Sequence, residues 1–168
     1  MRKIRLEKIT LSCGTGTAPG TIDKGIKLLN ILSGKNPVKT SSNKRIPAFN
    51  VRPGLAIGCK VTIRGKEASE LLKRLLSSIG NKLFKKQFNP GSFAFGIKEY
   101  IEVPGMVYYR DIGIMGLDVS VTLERAGFRI NKRKRKKGKV PLRHRITKEE
   151  TEKFMEDNFN IIIEQNEK

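Results

Sequence analysis

Nowhere does this chain hold the ~18 consecutive apolar residues that a membrane-spanning helix requires, and it carries only two cysteines and one histidine. Cys13 and Cys59 form no CxxC pair, and His144 stands alone, so the four sulfur or nitrogen ligands of a structural zinc site are missing. Two free thiols in a reducing compartment are the expectation. Met1-Arg2-Lys3-Ile4-Arg5 is charged, but no apolar segment follows it. A secretory signal is therefore not expected, and the cytosol is the default location. Acid is scarce as well: 16 Asp and Glu face 35 Lys and Arg, a net charge of +19.

Nucleotide chemistry lacks its motifs too. Gly14, Gly16 and Gly20 lie between a strand and a helix, but their spacing is GxGxxxG, not the GxGxxG of a dinucleotide turn. No GxxxxGK[ST] phosphate loop occurs. His144 sits in Arg143-His144-Arg145, where neighbouring cations oppose its protonation, so it reads as an RNA contact or a bystander rather than a general base. Glu99, Glu102, Asp111 and Asp118 show no spacing that calls for acid–base work. No catalytic residue, metal or cofactor is expected.

What is present is positive charge, unevenly placed. Residues 1–64 carry 13 basic and 2 acidic residues, and residues 65–124 carry 8 and 7. Residues 125–145 carry 11 basic and no acidic residues, whereas 146–168 carry 3 and 7. Such a field is costly through self-repulsion unless a polyanion neutralises it, and each cation laid on a phosphate releases a condensed counterion. Two RNA-facing zones around a nearly neutral middle are expected. A membrane surface is the weaker partner, because no basic amphipathic helix with a broad apolar face accompanies the charge.

Periodicity supplies the elements. Ile9, Leu11 and Cys13 alternate with polar residues as a half-buried strand. Ile22, Ile26, Leu29 and Leu32 mark one face of a helix over 21–33, stopped by Gly34 and Pro37. Val38 opens a short strand, and residues 40–54 lack periodicity and read as a long, mobile, basic loop. Leu55, Ile57, Cys59, Val61 and Ile63 then alternate against Ala56, Gly58, Lys60, Thr62 and Arg64. That second face suits a polyanion cover or plain solvent equally.

After Gly65, Ala68, Leu71, Leu72, Leu75, Leu76 and Ile79 form the stripe of a core-packing helix. Phe84, Phe88, Phe93 and Phe95 are interleaved with Lys82, Lys85, Lys86 and Lys98; a core role is preferred for them over base stacking. Residues 99–103 suggest a short strand, and 116–125 a clear one. The basic stretch 132–145 has the composition of a disordered tail, a nuclear import signal or an RNA-embedded arm. Thr147 and Glu150 form a capping box for a last helix to about residue 158, with Phe154 and Met155 inward, before a closing strand at 161–163. The helix makes the basic stretch an internal extension, whose cation repulsion should keep 132–139 unordered before RNA arrives. The order of elements indicates one α+β domain over 1–168 with an antiparallel or mixed sheet, a basic loop at 40–54 and a basic extension at 125–145.

Several segments together resemble one family. Lys8-Ile9-Thr10-Leu11-Ser12-Cys13-Gly14-Thr15-Gly16 looks like its first strand and turn, and Leu32-Ser33-Gly34-Lys35-Asn36-Pro37-Val38 like the end of its first helix. Ile57 to Gly65, Phe93 to Ile97, Pro104-Gly105-Met106 and Gly116-Leu117-Asp118-Val119 continue the match. The family is the universal large-subunit ribosomal protein five, and the stretch from Asp118 to Arg125 with His144-Arg145-Ile146-Thr147 looks like its archaeal and eukaryotic branch.

The resemblance implies a non-enzymatic protein whose helices pack on one side of the sheet. The other side would grip 5S ribosomal RNA in the central protuberance of the large subunit. The family's RNA-contacting threonine falls on Thr62, while its asparagine and glutamine fall on Ser12 and Lys35, a hydroxyl and an ammonium in place of amides. With the polar alternation and the basic extension, the candidate ribosomal-RNA set is Lys8, Thr10, Ser12, Lys35, Lys60, Thr62, Arg64, Arg129, Arg133 and Arg135. The family's long loop extends toward peptidyl-site transfer RNA, with Lys44, Arg45 and Arg52 as phosphate contacts, and the family bridges to a small-subunit head protein. An RNA chaperone outside the ribosome is the alternative from another class.

Overall fold

The computed structural model describes residues 1–18 and 20–164; residue 19 of the expected glycine loop and the last four residues of the expected domain lie outside it. The elements run β1 (Ile4–Gly14), α1 (Thr21–Ser33), β2 (Val38–Ser41), β3 (Ala56–Ile63), α2 (Lys66–Ser78), β4 (Lys82–Phe84), β5 (Phe88–Asn89), β6 (Ser92–Ile97), β7 (Leu117–Arg125), α3 (Arg129–Lys132), α4 (Lys148–Phe159) and β8 (Ile162–Glu164). Six strands pair in the order β2-β3-β1-β7-β6-β5, every neighbour antiparallel. β4 and β8 form a separate parallel pair.

Alternation decides which side of the sheet is dry. Ile9, Leu11 and Cys13 stand opposite Ile63, Val61 and Cys59 on β3. Val121 and Val119 on β7 continue two of these rows to Phe93 and Phe95 on β6. All of these side chains are buried, and α1 and α2 cover them with Leu28, Leu29, Leu32, Ala68, Leu72, Leu75 and Leu76. Burying an aliphatic side chain of this size contributes about 1.5–3 kcal/mol. The sheet face and the two leucine stripes therefore hold the helices on one side.

Two glycines permit close approaches, one between helix and sheet and one between neighbouring strands. A Cβ on Gly25 of α1 would come within 2.9 Å of the Cys59 Sγ and 3.0 Å of the Thr15 Cγ2, so the helix backbone rests almost directly on the sheet. A Cβ on Gly58 would come within 2.8 Å of the Cys13 carbonyl oxygen. Cys13 and Cys59 are both free and buried in this seam. Burial, then the nearby Cys59 and Asp118, pushes the Cys13 thiol up to about 11.

Several sequence expectations need correcting. β1 begins at Ile4, well before Ile9. The buried face of α1 is Gly25, Leu28, Leu29 and Leu32; Ile22 and Ile26 lie at its half-buried margin. Residues 99–103 form no strand but a 3₁₀ turn, Tyr100–Glu102, because Tyr100 is drawn into the core and its hydroxyl accepts from the Tyr109 N–H at 2.9 Å. Phe88, Phe93 and Phe95 are core residues, whereas Phe84 is exposed. The box at α4 forms as read, with the Glu150 N–H donating to the Thr147 hydroxyl at 3.3 Å and the Thr147 N–H donating to the Glu150 carboxylate at 3.0 Å.

The segment read as a structureless loop is folded. The Ser42 N–H donates to the Leu55 carbonyl and the Gly54 N–H to the Ser42 carbonyl, each at 2.9 Å. Ile46 and Val51 then pair across a 3₁₀ turn, Pro47–Phe49. Backbone pairing of this kind leaves no hydrophobic period to read.

Candidate RNA interface

The second face of the sheet carries small polar side chains in rows set by the strand register. One row runs Val38, Lys60, Ser12, Asp118 and Gly96. The next is Thr62, Thr10, Ser120 and Ala94, and the third is Lys8, Thr122 and Ser92. Hydroxyls, glycine and alanine keep this surface low across four strands, so a broad polyanion can approach the backbone. Side-chain hydroxyls and lysines suit phosphate and ribose oxygens.

Six of the expected contacts lie on this face: Lys8, Thr10, Ser12, Lys60, Thr62 and Arg64. The first five follow from the registers above, and Arg64 continues the Lys60–Thr62 alternation one step past β3. Lys35 stands apart, in the turn after α1, where its ammonium meets Glu67 at 2.6 Å. Arg129, Arg133 and Arg135 are exposed on the extension. Lys44, Arg45 and Arg52 are exposed on the folded hairpin at 42–55.

Ser92, Ala94, Gly96, Ser120 and Thr122 complete the face without being among the expected contacts. Their signal was legible: in 92–97 the large residues Phe93, Phe95 and Ile97 alternate with small ones. The lysine–phenylalanine interleaving obscured it.

At one end of the face the hydroxyl rows give way to an ion chain. A bulge in β1 shifts the register between Leu6 and Lys8, and it turns Glu7 toward the polar side. The Glu7 carboxylate meets the Lys132 ammonium at 2.6 Å and the Arg64 guanidinium at 3.2 Å. Lys132 also reaches Glu124 at 3.0 Å, and Arg5 closes the chain on Glu124 at 2.6 Å. Burial raises the Glu124 pKa, but hydrogen bonds from Lys132 and Arg5 outweigh it and hold the carboxyl below its ordinary 4.5. Burial likewise opposes the Lys132 charge, and the hydrogen bonds to Glu7 and Glu124 leave its pKa above 10.5.

The extension is therefore anchored to the sheet at Lys132, where the run expected from repulsion to be unordered begins. Past α3, the Gly138 N–H returns to the Ile130 carbonyl at 3.2 Å, and Val140 and Ile146 are buried. The His144 ring lies 5.8 Å from that of Phe128, with Nε2 at 2.9 Å from the Ala126 carbonyl oxygen. On the returning side Arg125, almost fully buried, donates to Glu150 at 2.6 Å. The hydrogen bond from the Thr147 N–H is the first cause holding the Glu150 pKa low, and Arg125 adds to it against a smaller effect of burial.

Helices on one side of a sheet and an open face of hydroxyls and lysines on the other define a class: small basic α+β proteins with one sheet face left uncovered. Residues 1–52 match the family described as Ribosomal protein L5, and residues 56–154 match the C-terminal part of the same ribosomal family. The large ribosomal subunit protein uL5 of Sulfurisphaera tokodaii is 45% identical over 165 residues, covering 97% of this chain and 93% of that protein. Its counterpart in Nanoarchaeum equitans is 44% identical over 97% of each chain. That of Methanobrevibacter smithii is 44% identical over 96% of this chain and 95% of its own. The chain belongs to the L5 family of ribosomal proteins, in its archaeal form; the family is structural, not enzymatic.

Proposed function

We propose that this protein is a structural constituent of the large ribosomal subunit that binds 5S ribosomal RNA through the polar face of its sheet. The observation that carries this reading is the face itself: hydroxyl side chains contributed by four neighbouring strands, with Lys8 and Lys60 among them, on the side opposite α1 and α2. The chain acts as one unit in this role, since residues on both sides of the 52–56 junction contribute strands to the same sheet. Arg129, Arg133 and Arg135 add phosphate contacts to 5S or large-subunit RNA from the extension.

The hairpin at 42–55 extends this reading to peptidyl-site transfer RNA. It projects Lys44, Arg45 and Arg52, with no acidic residue between 41 and 55. For the contact to a protein of the small-subunit head, the largely exposed segment 107–114 is our candidate. Val107, Tyr108 and Ile114 are exposed there around Arg110 and Asp111, and their apolar surface supports a protein partner.

The test is binding of the purified protein to 5S RNA and to a transfer RNA of similar length across a salt series. A 5S preference that persists as salt rises is expected, with the logarithm of affinity falling at a slope of order −5 if ~6 phosphates are neutralised. Thr62→Glu should lower 5S affinity by about a hundredfold or more without changing the melting temperature, because Thr62 is exposed and the new carboxylate would face phosphate. Glu70→Gln, an exposed change on the helical side, should leave affinity within about twofold. Equal binding of both RNAs that vanishes together with salt would reduce the protein to a polycation and reject the reading.

A further inference from the structure

Repulsion alone would carry the extension away from the sheet, since residues 125–145 hold 11 cations and no acid. Its departure point is nevertheless fixed from outside. Lys132 is the last residue of α3 and directly precedes the run Arg133 to Lys137, so whatever holds its ammonium decides where that run leaves the sheet. Two carboxylates from different strands hold it: Glu7, placed by the bulge in β1, and Glu124 on β7. Their side chains are only 8% and 15% exposed, against 46% for Lys132, so water screens these pairs less than it screens fully exposed ones.

The placement of these acids is at odds with charge alone. They border the face that meets RNA, where each negative charge repels phosphate and each occupies a cation that could otherwise neutralise one. A protein optimised for charge would carry glutamine at both positions. We propose that Glu7 and Glu124 are positioning residues for RNA binding: by bracing Lys132 between them they aim the cations of the extension along the polar sheet face, so that removing these two negative charges weakens RNA binding. The inference rests on the reading of that face as the RNA site. The ordered direction of the arm, not its charge, is what the carboxylates supply, and pre-ordering lowers the entropy that binding must overcome.

The test separates this account from charge and from general damage. Glu7→Gln with Glu124→Gln is made in the full chain and in a second background with Arg133, Lys134, Arg135, Lys136 and Lys137 changed to glutamine. In the free double variant, trypsin should cut within 133–137 at least about tenfold faster than in the parent. Its 5S RNA affinity should fall about tenfold in the natural background and by less than about twofold in the arm-neutral background, a coupling between two separated sites. Unchanged or tighter binding in the natural background overturns the proposal in favour of simple charge. An equal loss in both backgrounds overturns it in favour of structural damage. Should the double variant fail to fold, Glu124→Gln alone, which leaves Glu7 on Lys132, is read by the same two measures with smaller expected changes. A parent protein that shows no 5S preference instead removes the underlying reading, while the trypsin result still decides whether the carboxylates brace the arm.

Discussion

The hairpin at 42–55 and the extension at 125–145 are both cationic loops, yet they are ordered by different forces. In the hairpin the Ser42–Leu55, Ser42–Gly54 and Ile46–Val51 backbone bonds do the work, and the buried Ser42 hydroxyl donates to the Lys44 carbonyl at 2.8 Å. No charge is involved. In the extension, ion pairs to residues of the sheet and of α4 hold both ends: Lys132 to Glu7 and Glu124, and Arg125 to Glu150. A loop with three cations can be closed by neutral hydrogen bonds. One with eleven needs opposite charge brought from elsewhere in the fold, because its own sequence contains none.

The largest effect is expected where the extension returns. Arg125→Ala leaves Glu150 without its cation and removes donors to the His144 and Arg145 carbonyls. Breaking a buried ion pair costs about 3–5 kcal/mol. Glu150 keeps 39% of its side-chain exposure, so roughly 2–3 kcal/mol is expected here, as a lower midpoint in chemical denaturation. Hydrogen exchange should rise in 126–150 and stay unchanged in the hairpin. Equal loosening of both loops would break the comparison.

Acid provides the next test, and its sign follows from the pKa directions. Glu124 and Glu150 titrate below 4.5 in the folded protein. Their contribution is therefore complete above the unfolded value, and it disappears as pH falls through the folded ones. Lys132, raised above 10.5, contributes fully below its ordinary value and is lost only at still higher pH. The extension should keep constant protection from amide exchange between about pH 5 and 10 and lose on the order of tenfold toward pH 3, after correction for intrinsic rates. The hairpin, held by groups that do not titrate, should show no such step.

This contrast also explains what could be read from the sequence. The stripe from Ala68 to Leu76, the alternation in β3 and β7, the bounds of α1 and the Thr147–Glu150 box are local patterns, and each became the element it implied. Thr10, Ser12 and Thr62 could be put on a polar face from alternation alone, because the side-chain period of a strand is two. The ion chain could not be found that way. Glu7 and Lys132 are 125 positions apart, and the bulge that turns Glu7 outward leaves no compositional mark. β4 to β6 escaped because they are short and their phenylalanines are spaced among lysines, while the parallel pairing of β4 with β8 depends on how α4 returns the chain.

The smallest effect belongs to the hairpin. Ser42→Ala removes a hydroxyl that donates to the Lys44 carbonyl and accepts from the Lys44 N–H at 3.3 Å. A neutral hydrogen bond contributes about 1 kcal/mol net, and the partners left behind on Lys44 are exposed enough to turn to water. About a fivefold rise in amide exchange around 43–54 is therefore expected, with a melting temperature nearly that of the parent, since the hairpin lies outside the main core. The rise should be the same at pH 4 and pH 8 and at low and high salt, because no charge enters it. A salt- or pH-dependent response would mean that Lys44, Arg45 and Arg52 strain the hairpin, and that it too depends on electrostatics for its order.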